Sequence, residues 1–173
     1  MQNEMLKLIE TRRSIRKYQK KQITDEELDA VLTAGSYAPT GKGAQDVQIV
    51  AVQDEETRKR LTRMNSQILG KDIDPYYAPP TIVLAFAHNE RRTCVQDGSC
   101  ALMNMLLAAH ALGLGACWIN REREMFDTPE GKALMEQWGV EHRMVGVGAI
   151  SLGYPEGQPP RAAKRKPGYI IKV

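Results

Sequence analysis

Apolar positions along the chain follow two spacings, and each predicts its own kind of element. Met5, Leu8 and Ile9 fall three to four apart among polar neighbours, which predicts a short helix over residues 4–10. Leu28, Val31 and Leu32 repeat that spacing behind Thr24-Asp25-Glu26-Glu27. Thr with Glu three residues later is a capping box, so a second helix is predicted from Thr24 to about Ser36. Residues 55–69 are polar and helical, and residues 97–112 are apolar nearly all round, as in a helix central to a core or a subunit interface. Thr128-Pro129 starts a last helix that reaches Trp138. The second spacing is the unbroken or alternating apolar run. It predicts strands at 47–52, 81–87, 113–119 and 144–155. Pro/Gly-rich stretches at 38–46 and 70–80 read as loops. Helices alternate with a few strands, without repeat or linker, so the class is α/β or α+β in one domain over residues 1–173.

Composition adds bounds rather than elements. With 173 residues, 42% hydrophobic and 26% charged, the chain suits a soluble globular domain with a sizeable core. Glu4, Lys7 and Glu10 interrupt the first apolar residues, so no signal peptide is expected. The longest apolar-rich stretch, 101–119, is broken by Asn104, His110 and two glycines, so no membrane span is expected. Three cysteines, Cys94, Cys100 and Cys117, argue against a disulfide framework and point to the cytoplasm. Cys94-x5-Cys100 lacks zinc or cluster spacing, so no metal is expected. Gly113-x-Gly115 follows a helix and precedes a strand, the reverse of a dinucleotide fingerprint. His110, Cys117, Met103, Met105, Leu106 and Leu107 read as core or interface residues. Tyr18, Tyr76 and Tyr77 read as packing or surface residues, and Tyr154 as a turn residue.

Charge changes the picture more. The net is only +3, yet residues 7–21 hold seven basic residues against one acid, and 161–172 hold five against none. These ends lack the interleaved aromatic platforms of a nucleic-acid module. They suit a local anion site, if the fold brings them together. In "TRRSIRKYQ", residues 11–19, Arg12 and Arg13 offer guanidinium forks and Ser14 a hydroxyl, a donor set for one phosphate dianion.

At this point the sequence resembles a known family. "TRRSIRKY" is similar to the opening signature of the nitroreductase family of FMN-dependent oxidoreductases. "APTGKGAQ" at 38–45 resembles its Ala-Pro-Ser-x-x-Asn-x-Gln loop. "CALMNMLLAAHALGLGACWIN" at 100–120 resembles its central helix and following strand, and "GAISLGYP" and "RKP" resemble its last core strand and C-terminal phosphate contact. Two departures stand out: Gly43 replaces the loop's usual Asn, and Asp46-Val47 replace Pro-Trp after Gln45.

The resemblance implies an α+β fold, a mixed but mainly antiparallel sheet flanked by helices, in an intertwined homodimer with FMN at the interface. It implies that Arg12, Arg13 and Ser14 hold the FMN phosphate and that Arg16 lies near the flavin's pyrimidine edge. Pro39, Thr40 and Gly41, with Gly43 and Gln45 in the same loop, would reach the ring from the other subunit. Trp118, Ile119 and Asn120 would line its back face, and Lys164 and Arg165 would close on the phosphate. No side chain is expected to act as an acid–base catalyst, because the cofactor carries the chemistry. NAD(P)H would reduce FMN at N5, and a small electron-poor acceptor such as a nitroaromatic, quinone or flavin would then be reduced in the same pocket. A related reduction on the same scaffold (dehalogenation, enone reduction, flavin breakdown) and a flavin carrier or sensor remain open alternatives.

Overall fold

The computed structural model describes residues 3–173. Its helices are α1 (Glu4–Thr11), α2 (Asp25–Ser36), α3 (Glu55–Leu69), α4 (Cys94–Ala111), α5 (Glu122–Asp127) and α6 (Pro129–Gln137). Its strands are β1 (Val47–Val52), β2 (Thr81–His88), β3 (Gly115–Ile119) and β4 (Met144–Gly153). The strands form one sheet in the order β1-β2-β4-β3, with every neighbouring pair antiparallel.

Alternation along β2 explains the layering. Ile82, Leu84 and Phe86 point into one apolar cluster, together with Leu61 and Met64 of α3, Met125 and Phe126 of α5, and Leu134 of α6. Val83 and Ala85 point into the other, with Val31 of α2 and Leu102 and Met105 of α4. Both faces of the sheet are covered, which is why β2 reads as a continuous apolar run. Gly98 lets α4 lie close on the sheet: a β-carbon there would come within 2.6 Å of Val147.

The predicted α+β class, with its mainly antiparallel sheet flanked by helices, is the observed one. The parallel contribution is an isolated bridge from Ser14 to Ala116 beside β3. Thr24 caps α2 through the reciprocal Thr24–Glu27 pair, as its sequence requires. α4 begins at Cys94, three residues before the predicted start, and α5 was not foreseen. No helix among the described residues is long and apolar enough to cross a membrane.

Candidate functional site

α1 ends at Thr11, and Arg12 turns the chain from helix to extended backbone (φ −55°, ψ 135°). The basic strip then runs along the sheet edge. Ile15 N–H donates to Ala116 O at 3.0 Å, and Tyr18 pairs with Pro155 across an antiparallel bridge. The Tyr18 hydroxyl is buried against the carbonyls of Ile15 (2.5 Å) and Ser151 (3.2 Å). The strip is therefore pinned on both sides of its arginines.

Arg13 Nη1 is committed to the backbone, donating to Glu10 O (2.8 Å) and Arg12 O (2.7 Å). Arg12 differs: its Nη1 is buried and, among the described residues, donates to nothing. A buried cationic N–H without an acceptor is expensive, so such a group calls for an explanation. Among the described residues no salt bridge reaches Arg12, Arg13 or Arg16. Thr11 Oγ1 lies 3.0 Å from His110 Nε2 on α4. Partial burial, then the charges of Arg12 and Arg13, hold the imidazole below its ordinary pKa. This corner favours an anion and disfavours a further cation. His110 is half-buried at the end of α4 and lies in this corner.

Strand alternation splits the predicted wall at 118–120. Ile119 is buried against the α3/α5/α6 side, Trp118 is half-buried on the α4 side, and Asn120 is exposed. The Trp118 indole N–H donates to Asn120 Oδ1 at 2.8 Å. Asn65 escaped the sequence reading. It is fully buried, its Nδ2 donates to Asn120 O (3.0 Å), and its Oδ1 accepts from Arg121 Nε (2.6 Å). It holds the turn after β3, where Arg121 adopts a left-handed φ of 86°. A single Asn in a polar helix carries no sequence signal that it faces inward.

The loop at 38–46 is held by one buried acid. Asp97 on α4 accepts from Gly41 N–H (3.0 Å) and from the Thr93 hydroxyl (2.9 Å). Thr40 Oγ1 accepts from Gln45 N–H at 2.9 Å, and Lys42, Gly43 and Gln45 all take positive φ. The glycine at position 43 therefore has φ +64°, which favours Gly and also tolerates Asn. Pro39 is exposed at the start of this turn. Asp97→Ala strands the Gly41 N–H and is expected to lower stability by about 2 kcal/mol. In a chain of this size that is a Tm fall of roughly 4–8 °C, and an unchanged melt would show that the clamp does not hold the loop.

Lys164 and Arg165 are not brought to Arg12 within one chain. The segment from residue 156 to 173 is exposed throughout, and Arg165 donates to the nearby Ala163 O at 3.2 Å. Its start is fixed beside the basic strip, where Glu156 N–H donates to Lys17 O at 3.0 Å.

The two-sided antiparallel sheet thus carries at its edge a basic corner that no salt bridge among the described residues neutralises. The nitroreductase family model matches residues 9–75 and 74–154. The chain belongs to the nitroreductase family. A solved nitroreductase with bound FMN from Bacteroides fragilis is 32% identical, with a TM-score of 0.92 over 99% of this chain and 100% of that one. An Archaeoglobus fulgidus protein, provisionally named NADH dehydrogenase/NAD(P)H nitroreductase, is 35% identical over 90% of this chain and 87% of its own length. The NADPH-flavin oxidoreductase of Vibrio harveyi is 27% identical over 98% of this chain and 72% of its own length.

Proposed function

We propose that the protein is an FMN-dependent NAD(P)H oxidoreductase that reduces a small electron-poor acceptor (a nitroaromatic, a quinone or a flavin). The observation that carries this reading is the buried Arg12 Nη1, unpartnered among the described residues, in a corner where the charges of Arg12 and Arg13 also reach His110. An acceptor-rich dianion such as the FMN phosphate answers that N–H, and the donor chemistry of the corner fits it. When bound, FMN would supply the two-electron redox chemistry that links a nicotinamide to the acceptor.

This chain's residues bind and orient. Arg12, Arg13 and Ser14 hold the phosphate, and Arg16 supplies positive charge at the pyrimidine edge. Asn65 and Asn120 fix the turn after β3 that backs the ring, with Trp118 beside it. Pro39, Thr40, Gly41, Gly43 and Gln45 reach the ring from the second copy of a homodimer, and Lys164 and Arg165 close on a phosphate from the tail. Exposed apolar surface supports that dimer. Met5, Leu6 and Ile9 on α1, and Tyr169, Ile170 and Ile171 in a tail with few contacts to the body, are surfaces a second copy would cover.

The test is the visible spectrum of freshly purified protein before and after anaerobic NADH or NADPH. A flavin spectrum that bleaches is expected. One that persists with both nicotinamides makes the protein a flavin carrier or sensor instead. A colourless protein that refuses added FMN overturns the reading.

A further inference from the structure

The loop between α3 and β2 holds two consecutive residues in a conformation neither prefers. Tyr77 has φ 67° and Ala78 has φ 49°, and neither is glycine. Side chains with a β-carbon pay for the left-handed region, so such backbone persists only where the surroundings over-determine it. Here they do. The Asp74 carboxylate accepts from the N–H of Tyr76 (2.8 Å) and of Ala78 (2.6 Å). Thr62 on α3 donates to the same carboxylate at 3.4 Å. Tyr76 is fully buried: its hydroxyl donates to Glu122 Oε1 at 2.9 Å, and its carbonyl accepts from Ser151 Oγ at 2.7 Å. The loop is nailed down on both sides of the strain.

The product of this strain is the placement of one ring. Tyr77 is 40% exposed, so burial does not explain its position. Its ring instead lies under the Arg16 guanidinium, 5.7 Å from ring centroid to Cζ. Arg16 is exposed and, among the described residues, has no carboxylate partner. Without the ring, its long side chain has many rotamers open to it. A guanidinium over an aromatic face is restrained without spending its N–H donors on a carboxylate.

We propose that Tyr77 is a positioning residue that holds Arg16 in place over the pyrimidine edge of the bound flavin, and so stabilises the reduced cofactor. The proposal rests on the reading of the site given above. Reduced FMN gathers negative charge at that edge, and a fixed cation there favours it over the oxidised form. The strained loop is the device that brings Tyr77 within reach of Arg16.

The experiment is the two-electron midpoint potential of FMN bound to the holoprotein, with FMN affinity measured alongside. Tyr77→Ala is expected to weaken binding of reduced relative to oxidised FMN about fivefold, lowering the potential by about 20 mV at 29.6 mV per tenfold. Tyr77→Phe keeps the ring and should keep most of the potential. In an Arg16→Ala background, Tyr77→Ala should produce no further fall, because its effect passes through Arg16. A wild-type potential in Tyr77→Ala overturns the inference, and so does an undiminished fall in the Arg16→Ala background. Failure of the wild type to bind FMN at all overturns the site reading and this inference with it, and is told apart by absorbance alone.

Discussion

Replacing Arg12 and Arg13 together by alanine is expected to weaken FMN binding by about 10²- to 10⁴-fold. Each hydrogen bond to a charged group contributes about 1.5–3 kcal/mol, and about 1.4 kcal/mol corresponds to one decade of affinity. The two arginines should not share the loss equally. Arg13 Nη1 already serves the carbonyls of Glu10 and Arg12, whereas Arg12 Nη1 is buried with no partner. Arg12→Ala alone should therefore cost more than Arg13→Ala. The same asymmetry predicts opposite signs with and without ligand. Removing an unanswered buried N–H relieves the apoprotein, so Arg12→Ala should melt no lower than wild type without FMN and lower than wild type with it. Riboflavin, which lacks the phosphate, separates the head group from the ring. Its affinity should be nearly unchanged in the double variant. If FMN binds the variant as well as it binds the wild type, the phosphate lies elsewhere.

How much of this was visible in the sequence depended on whether the signal was local. Thr24 and Glu27 cap α2 through bonds between residues three apart, so the sequence alone places them. β2 is buried on both faces, and its unbroken apolar run says so. The arginines at 12 and 13 point to an anion site by local charge density, and the unpartnered Arg12 Nη1 supports that reading. The rest of the site is made by contacts distant in sequence. Asn65 sits in a polar helix and serves residues 120 and 121. Asp97, at the mouth of an apolar helix, clamps a glycine 56 positions earlier. α5 has only six residues and opens on a buried acid, against the ordinary preference of Glu for solvent, so periodicity had too little to work on. Lys164 and Arg165 read as the second half of a clamp, but their segment is exposed from residue 156 onward, and charge along the sequence does not say where an exposed tail lies.

That buried acid carries the other large effect. Glu122 is 1% exposed; Oε1 accepts from Tyr76, and Oε2 has no partner among the described residues. The titratable groups acting on it are Tyr76 from the loop before β2, Arg121 from the turn before α5 and Glu124 from α5 itself, while Gly146 of β4 packs against the Glu122 backbone. Burial outweighs the Tyr76 hydrogen bond and the Arg121 charge, and pushes the carboxyl up to about 8. In the unfolded chain it titrates near 4.5. Between these values the folded state holds a proton that the unfolded state has released. Stability must therefore fall as pH rises through that window, and level off above the folded value. At about 1.4 kcal/mol per pH unit, the full loss is on the order of 4–5 kcal/mol. Glu27, Asp54, Glu55 and Glu130 are all held below their ordinary values, so their contributions are lost only on the acid side, as pH falls through their folded values. His110, with its lowered pKa, acts in the opposite sense just below neutrality. Glu122→Gln isolates the acid from these, because the amide keeps the shape and an acceptor for Tyr76 but cannot ionise. Wild type should lose most of that stability between pH 5 and pH 9 in denaturant titrations, and the variant should lose little of it. Equal slopes in the two proteins would mean that the carboxyl finds solvent or a partner that leaves it ionised in the fold.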